Sequence, residues 1–274
     1  MPDPSVQNPI GVPFIELQSV DSTNNYALEQ VYAGLARHGA SFFAHEQVSG
    51  KGQRGKTWTA ERDSSLILSV VADPQPILLS QQFHLSACVA VSVHEFFRKY
   101  AGEPTRVKWP NDLYWHDRKA GGVLIENVVS SQFTVHSSQS TVDSLQSTAS
   151  SRGPWQWAVI GMGININQLE FPPGLEKAIS LRQITGQKAD PVVLAKELCG
   201  ILEKTLRVLY KQGFEEIYSR YQEHLYKKDQ PVRLKKGARV FEATIKSVSP
   251  SGQLVVQHAI EEEFAHGEIE WIIT

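Results

Sequence analysis

Residues 46–58, Glu-Gln-Val-Ser-Gly-Lys-Gly-Gln-Arg-Gly-Lys-Thr-Trp, combine three glycines with three cationic side chains and end on an indole. Glycine lets backbone N–H groups approach an anion closely, and Lys51, Arg54 and Lys56 add positive charge beside them. That chemistry suits phosphate. Further along, Lys108-Trp109-Pro110-Asn111-Asp112 sets a lysine, an amide and a carboxylate among aromatic rings, where they are costly to bury unless paired. Lys119-Ala120-Gly121-Gly122 then places a lysine before a double glycine, a pattern that marks close approach of backbone or ligand to a strand. Nearer the start, Asp21-Ser22-Thr23-Asn24 presents hydroxyls and an amide where a helix should begin. It reads either as a helix cap or as a holder for a small polar ligand.

Residues 50–57 also satisfy the pattern G-x-x-x-x-G-K-[ST] of a P-loop, which has meaning only between a strand and the N-terminus of a helix. Residues 41–45 make an acceptable strand. Residues 58–65 show no helical period, and 66–71 read as another strand. The spacing therefore predicts a flexible clamp on a nucleotide rather than a P-loop. Similarly, Gly161-Met162-Gly163-Ile164-Asn165 lacks the third glycine and the helix of a dinucleotide fingerprint. The alternation of Ile and Asn after its glycines predicts a second strand, with Asn165 and Asn167 on one face.

The elements that must position these groups follow from periodicity. Residues 14–17 read as a strand, followed by a helix with Leu28, Val31, Tyr32 and Leu35 at helical spacing. Residues 81–100 predict a deeply buried helix, and 191–212 an amphipathic one. From 231 onward, short strands separated by Gly237, Pro250-Ser251-Gly252 and Gly267 predict a small barrel. Residues 130–151 hold nine serines in 22 and few large apolar groups, the composition of a mobile insertion. The expected division is therefore 1–226, with its insertion at 130–153, and a second domain at 227–274.

At 274 residues and a net charge of −2, the chain is an ordinary soluble protein, with no global reason to bind nucleic acid or membrane. No signal peptide or membrane span is evident, so a cytoplasmic location is expected. Cys88 and Cys199 sit in apolar helical patterns and read as buried thiols, and no metal site is expected.

The order of these motifs closely resembles that of the biotin–protein ligases, also called biotin–[acetyl-CoA-carboxylase] ligases, over roughly residues 14–274. The resemblance implies an α+β catalytic domain related to class II aminoacyl-tRNA synthetases, followed by an SH3-like barrel. It implies a two-step reaction in which biotin and ATP give biotinyl-5′-AMP, and the biotinyl group then passes to one lysine of a biotin carboxyl carrier protein. By the same resemblance, Lys119 bridges the biotin carboxylate and the α-phosphate, while Lys108 and Asp112 act near ATP and the incoming lysine. Ser22, Thr23, Asn24, Gln47, Gly50, Gly121 and Gly122 fall at biotin-binding positions. Lys51, Gly52, Gln53, Arg54, Gly55, Lys56, Trp58, Asn111, Gly161 and Asn165 fall at positions that bind ATP or the adenylate. Mg²⁺ is expected to arrive mainly through the ATP phosphates.

Two departures from the family pattern matter. Some members carry arginine where this chain has Gln53, which implies looser retention of the adenylate here. Members that double as repressors carry a DNA-binding domain of about 60 residues before the catalytic part. Here the first strand lies near the start, so a ligase without repressor function is expected, as a monomer or homodimer. The alternatives are a lipoate–protein ligase, which shares the fold and the adenylation chemistry, and a non-catalytic biotin-binding protein.

Overall fold

A computed structural model describes residues 8–130 and 154–272. Apart from Ser130, the serine-rich insertion expected at 130–153 lies outside the described residues. Strand β1 (Phe14–Leu17) leads through helix α1 (Thr23–Tyr32) to β2 (Ser41–Ala44), and then to a two-stranded ribbon of β3 (Gly50–Lys51) and β4 (Thr57–Trp58). Next come β5 (Ser65–Ala72), α2 (Gln82–Ala101), β6 (Thr105–Lys108), β7 (Asp112–Trp115), β8 (Arg118–Val129) and β9 (Trp155–Asn165). Three helices follow, α3 (Leu181–Thr185), α4 (Pro191–Gln212) and α5 (Glu215–Glu223). The chain then forms β10 (Pro231–Lys236), β11 (Arg239–Val248), β12 (Leu254–Gln257), β13 (Glu261–Phe264) and β14 (Glu270–Ile272).

One seven-stranded sheet, ordered β1-β2-β5-β9-β8-β7-β6, carries the architecture. Among the described residues its only parallel pair is β1 with β2, and every other neighbour is antiparallel. Strand β5 is buried at every residue because both of its faces are covered. Leu66, Leu68, Val70 and Ala72 join the main core with α2 and α4. On the opposite face, Val71 packs with Val159 and with Ala27 and Val31 of α1. Period-two alternation divides these roles. Helix α4 has clear ends: the Asp190 side chain accepts from the N–H groups of Val192 and Val193, Pro191 opens the first turn, and Gly213 (φ 90°) follows the last.

The strands at the C-terminal end form a separate antiparallel sheet, ordered β13-β12-β11-β10-β14. Its buried Leu234, Ile245, Val256 and Phe264 belong to the same apolar core as α2 and α5. Trp109 Nε1 donates to the Gly252 carbonyl at 2.9 Å, and Tyr218 Oη to that of Val248 at 2.6 Å. Gly252 (φ 93°) also makes room for the neighbouring ring, because a Cβ there would lie 2.6 Å from Phe83 Cγ. The two sheets are thus fixed to one another. The fold is α+β, with a C-terminal antiparallel sheet.

One expectation is corrected. The Ile and Asn alternation after Gly163 starts no new strand; it continues β9 to Asn165. Gly161 and Gly163 stay extended because each is paired on both sides, Gly161 with Ser69 and Leu124, Gly163 with Ile67 and Gly122. Cys88 and Cys199 are buried free thiols, and burial pushes both thiol pKa values up. No helix among the described residues is long and apolar enough to cross a membrane.

Candidate active site

On the face that α1 covers only in part, a cavity of about 640 Å³ opens between the sheet, the β3–β4 ribbon and the C-terminal sheet. Alternation sets its floor: Ile67 of β5, Gly161 and Gly163 of β9, and Gly122 and Leu124 of β8 lie side by side. The floor is low because glycine removes the side chains that would fill it. A Cβ on Gly161 would lie 2.3 Å from Asn24 Oδ1, and one on Gly163 would lie 2.7 Å from Trp58 Cε2. Trp58 therefore lies over Gly163. Its Nε1 is buried without a hydrogen-bond partner among the described residues, a donor left for something in the cavity.

At one end, the N-terminus of α1 builds a polar pocket. Ser22 occupies the N-cap position with extended backbone, yet its side chain makes no capping bond. The acceptor comes instead from Gln47, whose Oε1 takes the Thr23 N–H at 2.7 Å and lies 3.0 Å from Thr23 Oγ1. Behind them, buried Ser69 Oγ lies 2.7 Å from both Thr23 Oγ1 and Asn24 Oδ1. Asn24 Nδ2 donates to Glu126 Oε2 at 2.8 Å. Sequence reasoning left the Asp21-Ser22-Thr23-Asn24 stretch open between cap and ligand holder; Ser22, Thr23 and Asn24 line the cavity, while the Asp21 carboxylate accepts from Asn25 instead.

The charged centre lies beside the polar pocket. Lys119 Nζ donates to Asp112 Oδ1 at 2.7 Å. In a regular strand, Lys119 and Gly122 would face opposite sides, but the β7–β8 register slips between Leu113 and Tyr114, opposite Ala120. This bulge turns Lys119 to the cavity side. Gly122 lies under the pair, where a Cβ would come within 3.0 Å of Asp112 Oδ1 and 3.4 Å of Lys119 Nζ. Gly121 faces the other way, toward Gly163 O and Ile164, so only one glycine of the doublet lines the cavity. Lys108 Nζ stands 5.0 Å from the Tyr114 ring and 5.3 Å from that of Trp271. Burial, and then the cations of Lys119 and Lys56, push its pKa down to about 8 against the pull of Asp112.

The glycine-rich loop closes the top. No helix follows it: the chain makes a short 3₁₀ turn over Gln53–Gly55 and returns as β4, so the P-loop pattern lacks its structural context. Gly50 permits this ribbon, since a Cβ there would lie 2.4 Å from Trp58 O and 2.7 Å from Gln47 Nε2. Lys51 Nζ sits 3.5 Å from Glu126 Oε1. Gln53 turns inward, and its Nε2 donates to Asn111 Oδ1 at 2.5 Å and to the Val123 carbonyl at 2.8 Å. Arg54 (φ 57°) and Lys56 are exposed at the mouth, with Gly52 beside them. Gly55 (φ 75°) serves the turn and does not line the cavity.

Besides Gly55, two more of the expected nucleotide ligands stand outside the cavity. Asn111 is buried, accepting from Gln53 and donating to Ser86 Oγ at 3.1 Å, so it ties the loop to α2. Asn165 is also buried and donates to the Ile179 carbonyl at 3.2 Å. Ile179 in turn donates its N–H to the Lys119 carbonyl at 2.9 Å, so Asn165 reaches the charged centre only through backbone. Sequence reasoning missed Ser69, Gly163, Glu126 and the far wall, where His266, Gly267, Ile269, Glu270 and Trp271 of the C-terminal segment complete the cavity. For Glu126, the strand pattern after the double glycine was a usable signal. For the far wall there was none, because only tertiary packing brings it there.

Comparison with known proteins gives these groups a context. Residues 16–140 match the biotin/lipoate A/B protein ligase family. Over those residues the chain is similar to that family. Among curated proteins it is 29% identical over 260 residues to the bifunctional ligase/repressor BirA of Salmonella typhimurium, an alignment covering 92% of this chain and 72% of that protein. It is 25% identical to the biotin–[acetyl-CoA-carboxylase] ligase of Paracoccus denitrificans, over 88% of this chain and 92% of that one. The biotin protein ligase of Aquifex aeolicus, solved in complex with biotin and ATP, superposes with a TM-score of 0.74 at 22% identity, over 95% of this chain and 98% of that one. That likeness extends through the C-terminal sheet, so the shared fold spans both parts of the molecule.

Proposed function

We propose that the protein is an ATP-dependent biotin–protein ligase whose target is a lysine of a biotin carboxyl carrier protein. One observation carries the reading: a neutral donor–acceptor pocket, a lysine on a carboxylate and a cationic glycine loop share a single cavity. The pocket at Thr23 and Gln47 suits a urea ring, which needs both donors and acceptors. Lys119 and Asp112 line the same cavity as that pocket and the loop, so a carboxylate and an α-phosphate could meet at them.

In the first step, the biotin carboxylate oxygen bonds to the α-phosphorus of ATP and the bond to pyrophosphate breaks. Both reactants are anions, so fixed cations that neutralise them together lower the barrier. Lys119 would form that bridge, with Lys51, Arg54 and Lys56 taking the phosphates and Trp58 the base. In the second step, the carrier amine attacks the acyl carbonyl, an amide forms and AMP leaves. Asp112 takes up the proton that the amine loses. Mg²⁺ would enter on the nucleotide and supply charge neutralisation there.

The test is pyrophosphate release with ATP and Mg²⁺, adding biotin or lipoate, for wild type and Lys119→Ala. Biotin-dependent release that the variant loses supports the reading. Lipoate dependence moves the chain to the other branch of the family, and tight biotin binding without turnover makes it a binding protein.

A further inference from the structure

Lys108 and Lys119 share one carboxylate, and Lys119 has it: its Nζ donates to Asp112 Oδ1 at 2.7 Å. Lys108 sits directly opposite Asp112 in the β6–β7 register, where an ion pair would be expected. It makes none among the described residues, and its hydrogen-bond partner is Tyr114 Oη at 3.4 Å. Glu270, the other carboxylate of the cavity wall, faces Lys235 at 3.9 Å. The Lys108 ammonium goes instead to two rings from different sheets, 5.0 Å from that of Tyr114 on β7 and 5.3 Å from that of Trp271 on β14. Tyr226 backs both, with ring centres 5.0 Å from Tyr114 and 5.8 Å from Trp271. Its own hydroxyl is engaged, donating to Asp117 at 2.6 Å. An aromatic face attracts a cation, more strongly where water is excluded, and indole does so best. Trp271 Nε1 is buried and meets no acceptor among the described residues, so the indole acts here through its face and not through its N–H.

We propose that Trp271 is a positioning residue that acts through Lys108: its indole face holds the ammonium off Asp112, which leaves that carboxylate to Lys119 and keeps two separate cations at the reacting centre. This rests on the ligase reading, in which two anions must be brought together. A lysine stem is flexible, and one released from the ring would swing to its cross-strand partner and compete with Lys119. The charges that bear on Lys108 are Asp112 from β7, Lys119 from β8 and Lys56 from the glycine-rich loop. The carboxylate favours the ammonium, while burial and the two lysines oppose it. The ring face adds to the side of the cation, so weakening it moves the titration of Lys108 to lower pH.

The experiment replaces Trp271 in the full-length protein by tryptophan fluorinated at one, two or three ring positions, and separately by leucine. Fluorine withdraws charge from the ring face and leaves its shape nearly unchanged, so packing is kept while the attraction falls. Two quantities are measured: the titration of the Lys108 side chain by carbon NMR without ligands, its signal identified by its loss in Lys108→Arg, and the alkaline limb of the first-step rate. Both midpoints are expected to move down together with each fluorine, by about half a pH unit or more across the series, and at least as far in Trp271→Leu. Below the limb, Trp271→Leu should slow the first step roughly fivefold. A Lys108 midpoint that stays the same across the fluorinated series overturns the inference. A limb that stays in place while the rate falls by one factor at every pH, the mark of packing alone, overturns it as well. The NMR titration needs no biotin, so wild type without biotin-dependent pyrophosphate release would remove the ligase reading while the titration still decides the contact.

Discussion

Lys119 Nζ stands 2.7 Å from Asp112 Oδ1, and a β-bulge, not the regular strand, brings the lysine to that side of the sheet. The carboxylate fixes the ammonium where a substrate acid and a phosphate would meet. Asp112→Asn keeps the shape and removes the charge, so Lys119 loses its anchor without losing its own positive charge. The first-step rate is expected to fall by about 10- to 100-fold with little change in the KM for biotin, since the loss is of orientation rather than of affinity. Lys119→Ala, which removes the bridge itself, should cost about 100-fold or more. Biotin-dependent pyrophosphate exchange measures both. An Asp112→Asn enzyme with a normal first step and slow transfer would restrict the carboxylate to the second step.

Lys108 gives a stability prediction whose sign is determined. Burial lowers its pKa from 10.5 to about 8 in the folded protein. Between those values the unfolded chain holds more protons than the folded one, so this group makes stability rise with pH across the window. Below about pH 8 the folded protein bears the full cost of a buried cation. Lys108→Met should therefore stabilise the protein at pH 7 by on the order of 2 kcal/mol, with the gain shrinking as pH climbs above 8. Urea unfolding at pH 7 and pH 9 tests it. Above pH 8 the same titration removes a cation from the cavity, so the wild-type first-step rate should decline there. That limb should be missing in whatever activity Lys108→Met retains.

Gln53 sits in the glycine-rich loop, and its side-chain amide donates to Asn111 Oδ1 and to the Val123 carbonyl. The side chain thus pins the loop to the sheet before any ligand arrives. Gln53→Ala should raise hydrogen exchange across residues 50–58 and raise the KM for ATP several-fold, with a smaller effect on kcat. Gln53→Arg tests a separate point, the release of the adenylate: the added cation should slow its loss. Equal release rates from wild type and Gln53→Arg would show that retention here does not depend on a charge at this position.

Much of this site was legible because its chemistry is local. The loop glycines, the Lys119 doublet and the Lys108–Asp112 turn each carry their signal within a few residues. The failure of the P-loop pattern was readable from the missing helical period after Thr57. What was not legible depends on pairing at a distance. Asn111 and Asn165 sit within informative motifs, yet packing turns their amides into ties for the loop and for the backbone around Ile179. Gly121 and Gly122 look equivalent in sequence, but alternation sends one to the core and one to the cavity. The bulge at Ala120 is a property of register, which no spacing within β8 reveals. The wall from His266 to Trp271 is further still, because an interface between two sheets puts it there.

Gly161 and Gly163 lie two apart on one strand and should fail in different ways. A methyl on Gly161 would press on Asn24 at 2.3 Å from Oδ1 and 2.9 Å from Cγ, disturbing the polar pocket. A methyl on Gly163 would press on the Trp58 indole, with ring atoms at 2.7, 2.9 and 3.1 Å, and would lift the ring off the floor. Neither glycine has a positive φ, so alanine is tolerated by the backbone and the effect is confined to the neighbour. Gly161→Ala should therefore raise the KM for biotin by about tenfold or more and leave that for ATP nearly unchanged. Gly163→Ala should do the reverse. Indole fluorescence separates the two further: Gly163→Ala should shift the emission of Trp58 before any ligand is added, and Gly161→Ala should not. If both variants raise both constants alike, acid and nucleotide are not divided along β9, and the assignment of Trp58 to the base would have to be abandoned.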